Sequence, residues 1–311
     1  AAVTAHDADV LVGFGGGSPI DTAKALALLA VSGGAMAEYK APRSNDGPAL
    51  PIVAVPTTAG TGSEVTQFTV ITDSRTDEKM LCIGPAFLPA AAIVDYELTL
   101  TMPARLTADT GIDALTHAIE AYVSRKANRF SDGMSLTAIR TIGSALRRVY
   151  ADGSDRQARE AMMLAATQAG IAFSNSSVAL VHGMSRPIGA HFHVAHGLAN
   201  AMLLPAVTRY SVPAAEARYA DCARALGCAA ADDDDATAAQ ALVDELEALC
   251  NDLAVPTPRS YGIDERAWRQ KIPTMVEQAI ASGSPANNPR VPRPTTWPPS
   301  TARSTEKGRP R

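Results

Sequence analysis

An α/β unit built on a parallel sheet, followed by an all-α unit, is the fold this sequence predicts, and three observations predict it. Short apolar runs at 9–14, 50–55 and 90–95 read as buried strands and alternate with helical stretches. Two of these runs lead directly into glycine-rich loops. Beyond Met102 and Pro103 the β-runs become scarce, and apolar residues recur at helical spacing, as in Met134, Leu136, Ile139, Ile142 and Leu146. The expected organisation is therefore 1–102 as the α/β unit, 103–292 as the helical unit, and 293–311 as a disordered tail, Pro-rich and basic.

The first junction begins with the strand at 9–14, which runs into Gly15, Gly16 and Gly17. Ser18 then fits a helix N-cap, Pro19 the first helical position, and Asp21 the acid of a capping box. Strand, glycine turn and helix start together form a cradle that suits a phosphate. A tight structural turn is the alternative. The second junction follows the strand at 50–55. Its loop, 56–63, holds four hydroxyls (Thr57, Thr58, Thr61 and Ser63) among two glycines. Hydroxyls and amides in such a loop suit phosphate, ribose or carboxamide. Ligands of parallel sheets bind at the strands' carboxyl ends, where both loops lie.

The helical half carries the metal-ligand types. Of six histidines, five lie at 117, 182, 191, 193 and 196. Asp113 and His117 stand at i and i+4 of a helical stretch, so they share a face. His182 and His196 are separated by Gly183, Pro187 and Gly189, which leaves open one long helix or a helix–turn–helix corner. One carboxylate with three imidazoles is a complete ligand set for Fe(II) or Zn(II). Four protein ligands fill a tetrahedron, and room for a substrate oxygen favours iron over a closed zinc site.

Composition excludes other classes. The formal charge is −4 and the pI near 5.9, which gives no nucleic-acid surface and no basic membrane face. Neither a long apolar span nor a signal peptide is visible. Cys82, Cys222, Cys228 and Cys250 form no CxxC, the pattern of reduced thiols in a cytoplasmic protein. The acidic run 232–235 precedes a helical stretch and reads as its solvated start.

The segments 15–24, 56–66, 113–122 and 182–190, with His196 and Gly197, resemble the iron-containing (group III) alcohol dehydrogenases. The resemblance runs from about residue 8 to about residue 292. It implies a dinucleotide-binding α/β domain with a parallel sheet, then an all-α domain, of the dehydroquinate-synthase-like fold. It implies a metal-dependent oxidoreductase that moves hydride between a small primary alcohol or aldehyde and NAD or NADP. Asp113, His117, His182 and His196 would hold iron, with zinc as the alternative. Gly16, Gly17, Ser18, Thr57, Thr58, Thr61, Ser63, Lys79 and Leu98 fall on cofactor-contacting positions. A further histidine that some members place four residues after the third ligand is Arg186 here, so His191 or His193 becomes the candidate proton relay. The resemblance allows a homodimer. It also implies that the chain is truncated at its N-terminus, with an incomplete sheet, and altered after Pro292. A dehydroquinate-synthase-like NAD and metal enzyme, or a non-catalytic remnant that keeps only the metal site, are the alternatives.

Overall fold

The computed structural model describes residues 2–76 and 78–292, so the expected disordered tail at 293–311 lies outside the described residues. The chain opens with a single turn, α1 (Ala2–Ala5), then β1 (Leu11–Gly15) and α2 (Gly17–Ser32). Next come β2 (Ile52–Pro56), the strands β3 (Phe68–Asp73) and β4 (Glu78–Ile83), and the two-residue β5 (Ala91–Ala92). The sheet order is β1-β2-β5, all parallel, with Gly15 level with Pro56. The two ligand-type loops therefore leave the same end of the sheet side by side, and Thr57 N donates to Gly15 O at 2.9 Å. Helix α2 covers one face of this sheet, burying Ala23 and Ala27 against Ile52. Among the described residues nothing covers the other face of β1: Val10, Val12 and Phe14 are exposed, and so is Ile93 beyond β5.

Three sequence expectations need correction here. The strand at 90–95 shrinks to Ala91 and Ala92. Strands β3 and β4 form an antiparallel hairpin outside the parallel sheet, a departure from simple strand–helix alternation. Helix α2 starts two residues early: its N-cap is Gly16, not Ser18, and no side chain caps it. Asp21 is drawn away from any capping role because its carboxylate accepts from Ser63 Oγ at 2.6 Å and Val70 N at 2.9 Å. Beside it, the fully buried Lys24 donates to Thr66 O, Thr66 Oγ1 and Phe68 O. Asp21 and Lys24 thus tie the glycine-turn helix to the β3–β4 hairpin through polar groups whose hydrogen bonds offset their burial.

The helical half comprises α3 (Ala104–Val123), α4 (Arg129–Ala151), α5 (Arg156–Ser174), α6 (Leu180–Phe192) and α7 (His196–Ser211). It continues with α8 (Glu216–Leu226), α9 (Asp235–Asp252), the turn α10 (Pro258–Tyr261) and α11 (Glu265–Ala281). Asp234, from the acidic run, caps α9 by accepting from Thr237 N. One large apolar core joins α3 to its neighbours, including Ile112, Leu115, Ile139, Leu146, Leu203 and Leu246. Helix α3 lies at its centre and is buried from Thr107 to Val123 on every side. A helix enclosed in this way is normally apolar all round. Among the described residues no helix is long and apolar enough to cross a membrane.

Candidate metal centre and nucleotide cradle

Helix α3 departs from the apolar rule along one stripe. Asp113, His117 and Glu120 stand at i, i+4 and i+7, on one face, and all three are buried. Their partners come from the corner between α6 and α7. Helix α6 passes through Gly183, Pro187 and Gly189 unbroken and ends instead at His193, which takes a left-handed φ of 53°. The chain then turns back, and α7 starts on His196. The corner alternative is thus the one realised. Gly197 presses α7 against α3: a Cβ there would meet Asp109 O at 2.4 Å, so only glycine allows the approach.

This corner brings one ligand atom each from Asp113, His117, His182 and His196 within 4.8 Å of one another. His182 Nε2 lies 3.5 Å and His196 Nε2 3.8 Å from Asp113 Oδ1. A tetrahedral ion with bonds of ~2.1 Å spaces its ligand atoms about 3.4 Å apart, so the donor set has the right scale for a first-row divalent ion. The amide of Asn200 offers a second test. Its Nδ2 lies 2.6 Å from Asp113 Oδ1, 3.1 Å from His182 Nε2 and 3.4 Å from His196 Nε2. Three lone-pair donors thus point at one small volume, while Asn200 Oδ1 stays buried without a partner. An arrangement short of positive charge and surplus in lone pairs fits a cation.

The electrostatics agree. Burial pushes His117 down to about 3 and His196 down to about 4, so both rings are neutral, as metal ligands must be. His182 moves the other way: burial opposes its charge, but hydrogen bonds to Asp113 and Glu120 outweigh that and raise it. Burial likewise opposes ionisation of Asp113, yet the surrounding His117, His196 and His182 hold its carboxyl below the usual range. Phe173 stacks on His117 at 4.3 Å, and His117 stacks on His182 at 4.3 Å, a column that closes one side of the site. The His196 side chain is 39 % exposed, so the centre opens towards it.

The nucleotide-type loops meet in space. A Cβ on Gly16 would touch Thr58, and one on Gly17 would approach Thr61 Cγ2 at 3.0 Å. Thr58 Oγ1 is buried without a partner, a free hydroxyl in the wall of the cradle. Ser18 is exposed in the first turn of α2, and Thr57 is half-buried beside Gly15. Ser63 is buried, its hydroxyl committed to Asp21. Leu98 sits half-buried in a short 3-10 turn, Tyr96–Thr99. Lys79, on β4, lies over Gly189 of α6 and shares a cleft of about 110 Å³ with Arg186. Burial and then Arg186 lower the Lys79 pKa, and both cations act on His196. Neither candidate relay joins the cluster: His191 Nε2 pairs with Gln278 Oε1 at 2.9 Å, and His193 is the exposed cap of α6. Sequence reasoning did not reach Glu120, Asn200 or Phe173. The i+7 spacing from Asp113 and the i+4 spacing from His196 were the available signals for the first two.

A glycine cradle on a parallel sheet, together with a largely buried cluster of one carboxylate and three imidazoles that opens at His196, defines a class of nucleotide- and metal-dependent enzyme architecture. Comparison with known proteins narrows it. The description "Fe-containing alcohol dehydrogenase family, C-terminal" matches residues 107–296, and "Iron-containing alcohol dehydrogenase" matches residues 1–96. The long-chain-alcohol dehydrogenase 1 of Geobacillus thermodenitrificans is 43% identical over 274 residues, spanning 87% of this chain and 69% of that protein. The NAD-dependent methanol dehydrogenase of Bacillus methanolicus is 39% identical over 287 residues, or 92% of this chain and 74% of that one. The crystal structure of a 1,3-propanediol oxidoreductase superposes with a TM-score of 0.89 at 38% identity, covering 94% of this chain and 76% of the other. This chain belongs to the iron-containing alcohol dehydrogenase family.

Proposed function

We propose that the chain catalyses reversible hydride transfer between a small alcohol, or its aldehyde, and a nicotinamide dinucleotide. Asp113, His117, His182 and His196 would hold the divalent ion, iron first and zinc as the alternative. The observation that carries this reading is the convergence of those four ligand atoms within 4.8 Å, beside an amide surrounded by lone pairs. When bound, the ion supplies Lewis acidity to the alcohol or carbonyl oxygen, and the nicotinamide accepts or gives the hydride.

The chain's own residues do the rest. Backbone N–H groups at Gly16 and Gly17, at the start of α2, suit a phosphate, and Thr58 and Thr61 face them across the cradle. Lys79 adds a cation on the hairpin side. The Phe173–His117–His182 column keeps water from the closed side of the centre, and the exposed edge of His196 leaves the way in for substrate. In this reading 1–102 is the cofactor half and 103–292 the metal half. The relatives' names point to short alcohols, diols and long-chain alcohols as the panel to test.

The test is metal analysis with activity on one anaerobically purified sample. Near-stoichiometric iron, with NADH or NADPH formed from ethanol or 1,3-propanediol, is the expected result. Turnover that survives a chelator and removal of the metal would overturn it.

A further inference from the structure

We propose that Glu120 is a positioning residue that fixes which ring nitrogen His182 offers to the metal, an inference that rests on the metal reading above. Glu120 is buried on α3, one helical turn beyond His117. Its carboxylate has three partners. Oε1 accepts from Val181 N at 2.6 Å, and Oε2 accepts from Ala179 N at 2.8 Å. Oε2 also lies 2.7 Å from His182 Nδ1. Both oxygens already take a backbone N–H, so the carboxylate is the acceptor throughout and the ring must donate through Nδ1–H. A neutral imidazole that carries its proton on Nδ1 has its lone pair on Nε2. That is the nitrogen which faces Asp113 Oδ1 at 3.5 Å, on the far side of the ring.

One carboxylate thus performs two tasks. Helix α6 has no side-chain cap of its own at Ala179, and Glu120 satisfies two of its first N–H groups from outside. The same carboxylate clamps the ring that α6 carries, so the imidazole is locked relative to both helices. A buried carboxylate that orients a ligating histidine also raises the basicity of the ligating nitrogen. Glutamine at 120 would keep the volume but replace one acceptor oxygen by an N–H donor, and it could not receive all three hydrogen bonds.

The experiment is a double-mutant cycle on Zn²⁺ affinity, read by chelator competition without nucleotide or substrate, on the native chain, Glu120→Gln, His182→Ala and the double variant. Glu120→Gln is expected to weaken binding roughly 10–100-fold in the native background and by less than about threefold once His182 is absent. An equal loss in both backgrounds would mean that Glu120 merely supports the fold, and this would overturn the proposal, as would no loss at all. A second readout avoids reliance on a variant that folds poorly. Histidine ¹⁵N spectra of the native Zn²⁺-loaded chain should show His182, assigned by its disappearance in His182→Ala, with its proton on Nδ1. A proton on Nε2 would sink the idea. If the native chain binds no metal, the reading of the site falls and this inference with it; native binding that is indifferent to Glu120 overturns this inference alone.

Discussion

Asp113→Asn is expected to weaken metal binding by on the order of 10²- to 10³-fold, with kcat/KM falling in step. Asp113 is the sole carboxylate among the four candidate ligands, so it supplies their only negative charge. It is also buried to within 1 % and is therefore barely screened by water. Loss of one partner from a buried charge pair costs about 3–5 kcal/mol, and each ~1.4 kcal/mol is tenfold in affinity. Asparagine preserves the shape, so the fold should survive. Thermal unfolding with and without chelator provides the check. The native protein should lose stability when the metal is stripped, by about 2.7 kcal/mol if the ion was present at a hundred times its Kd. The variant should unfold at the same temperature either way. A chelator-sensitive melting point in Asp113→Asn would show that this carboxylate does not hold the ion.

Gly62→Ala should be among the more damaging single methyl groups in the cofactor half. Gly62 has a φ of 63°, and its added Cβ would meet Gly170 Cα of α5 at 2.5 Å. The reverse change is nearly as tight: a Cβ on Gly170 meets Gly62 Cα at 2.8 Å and Val65 Cγ2 at 2.8 Å. Two backbones touch here, and neither can retreat without shifting a strand loop or a helix. A left-handed non-glycine residue costs about 1–2 kcal/mol and overpacking about 1–3 kcal/mol, so a loss of roughly 2–5 kcal/mol is expected, or a fall in Tm of roughly 3–8 °C. Three residues beyond Gly170 stands Phe173, stacked on His117. The contact therefore sets the distance between the hydroxyl loop and the metal centre. Scanning calorimetry gives the stability, and nucleotide titration should give weaker binding than in the native chain. Wild-type stability would mean that the loop and α5 are not held in register by this contact.

Much of the site was legible because its chemistry is local in the chain. The Asp113–His117 pair follows from helical spacing alone. Glycine after a strand, and threonines after another, need only the rule that parallel strands present their carboxyl ends to a ligand. What escaped was set by packing between distant elements. Glu120 carries no sequence motif; its meaning arises when α6 is laid across α3 and puts Ala179, Val181 and His182 against one carboxylate. Asn200 becomes notable only when α7 folds back beside Asp113. Ser18 looked like a cap by type, but Asp21 had a stronger engagement with Ser63 and Val70, and the helix began at Gly17. The β3–β4 hairpin was readable in principle from Thr69, Val70, Ile71 and Thr72, a β-branched run of the kind that favours strands. The break between α6 and α7 fell at His193 rather than at the glycines or the proline, because a tightly packed helix can carry those residues where α11 and the hairpin enclose it.

The bare side of β1 has a consequence for handling the protein rather than for its chemistry. Strand β1 ends the described sheet on one side, and its uncovered face offers Val12 at 61 % and Phe14 at 60 % exposure, with Val10 alongside. An unpaired edge next to an apolar face is adhesive to any chain that can add a strand or lay down a greasy surface. At high concentration the protein should cluster and take up a hydrophobic dye such as ANS, and Phe14→Lys should reduce both in light scattering and fluorescence, while the chelator-sensitive melting point stays where it was. The part of the molecule that limits its life in the test tube would then be the strand that carries the cradle, not the helices that enclose the metal.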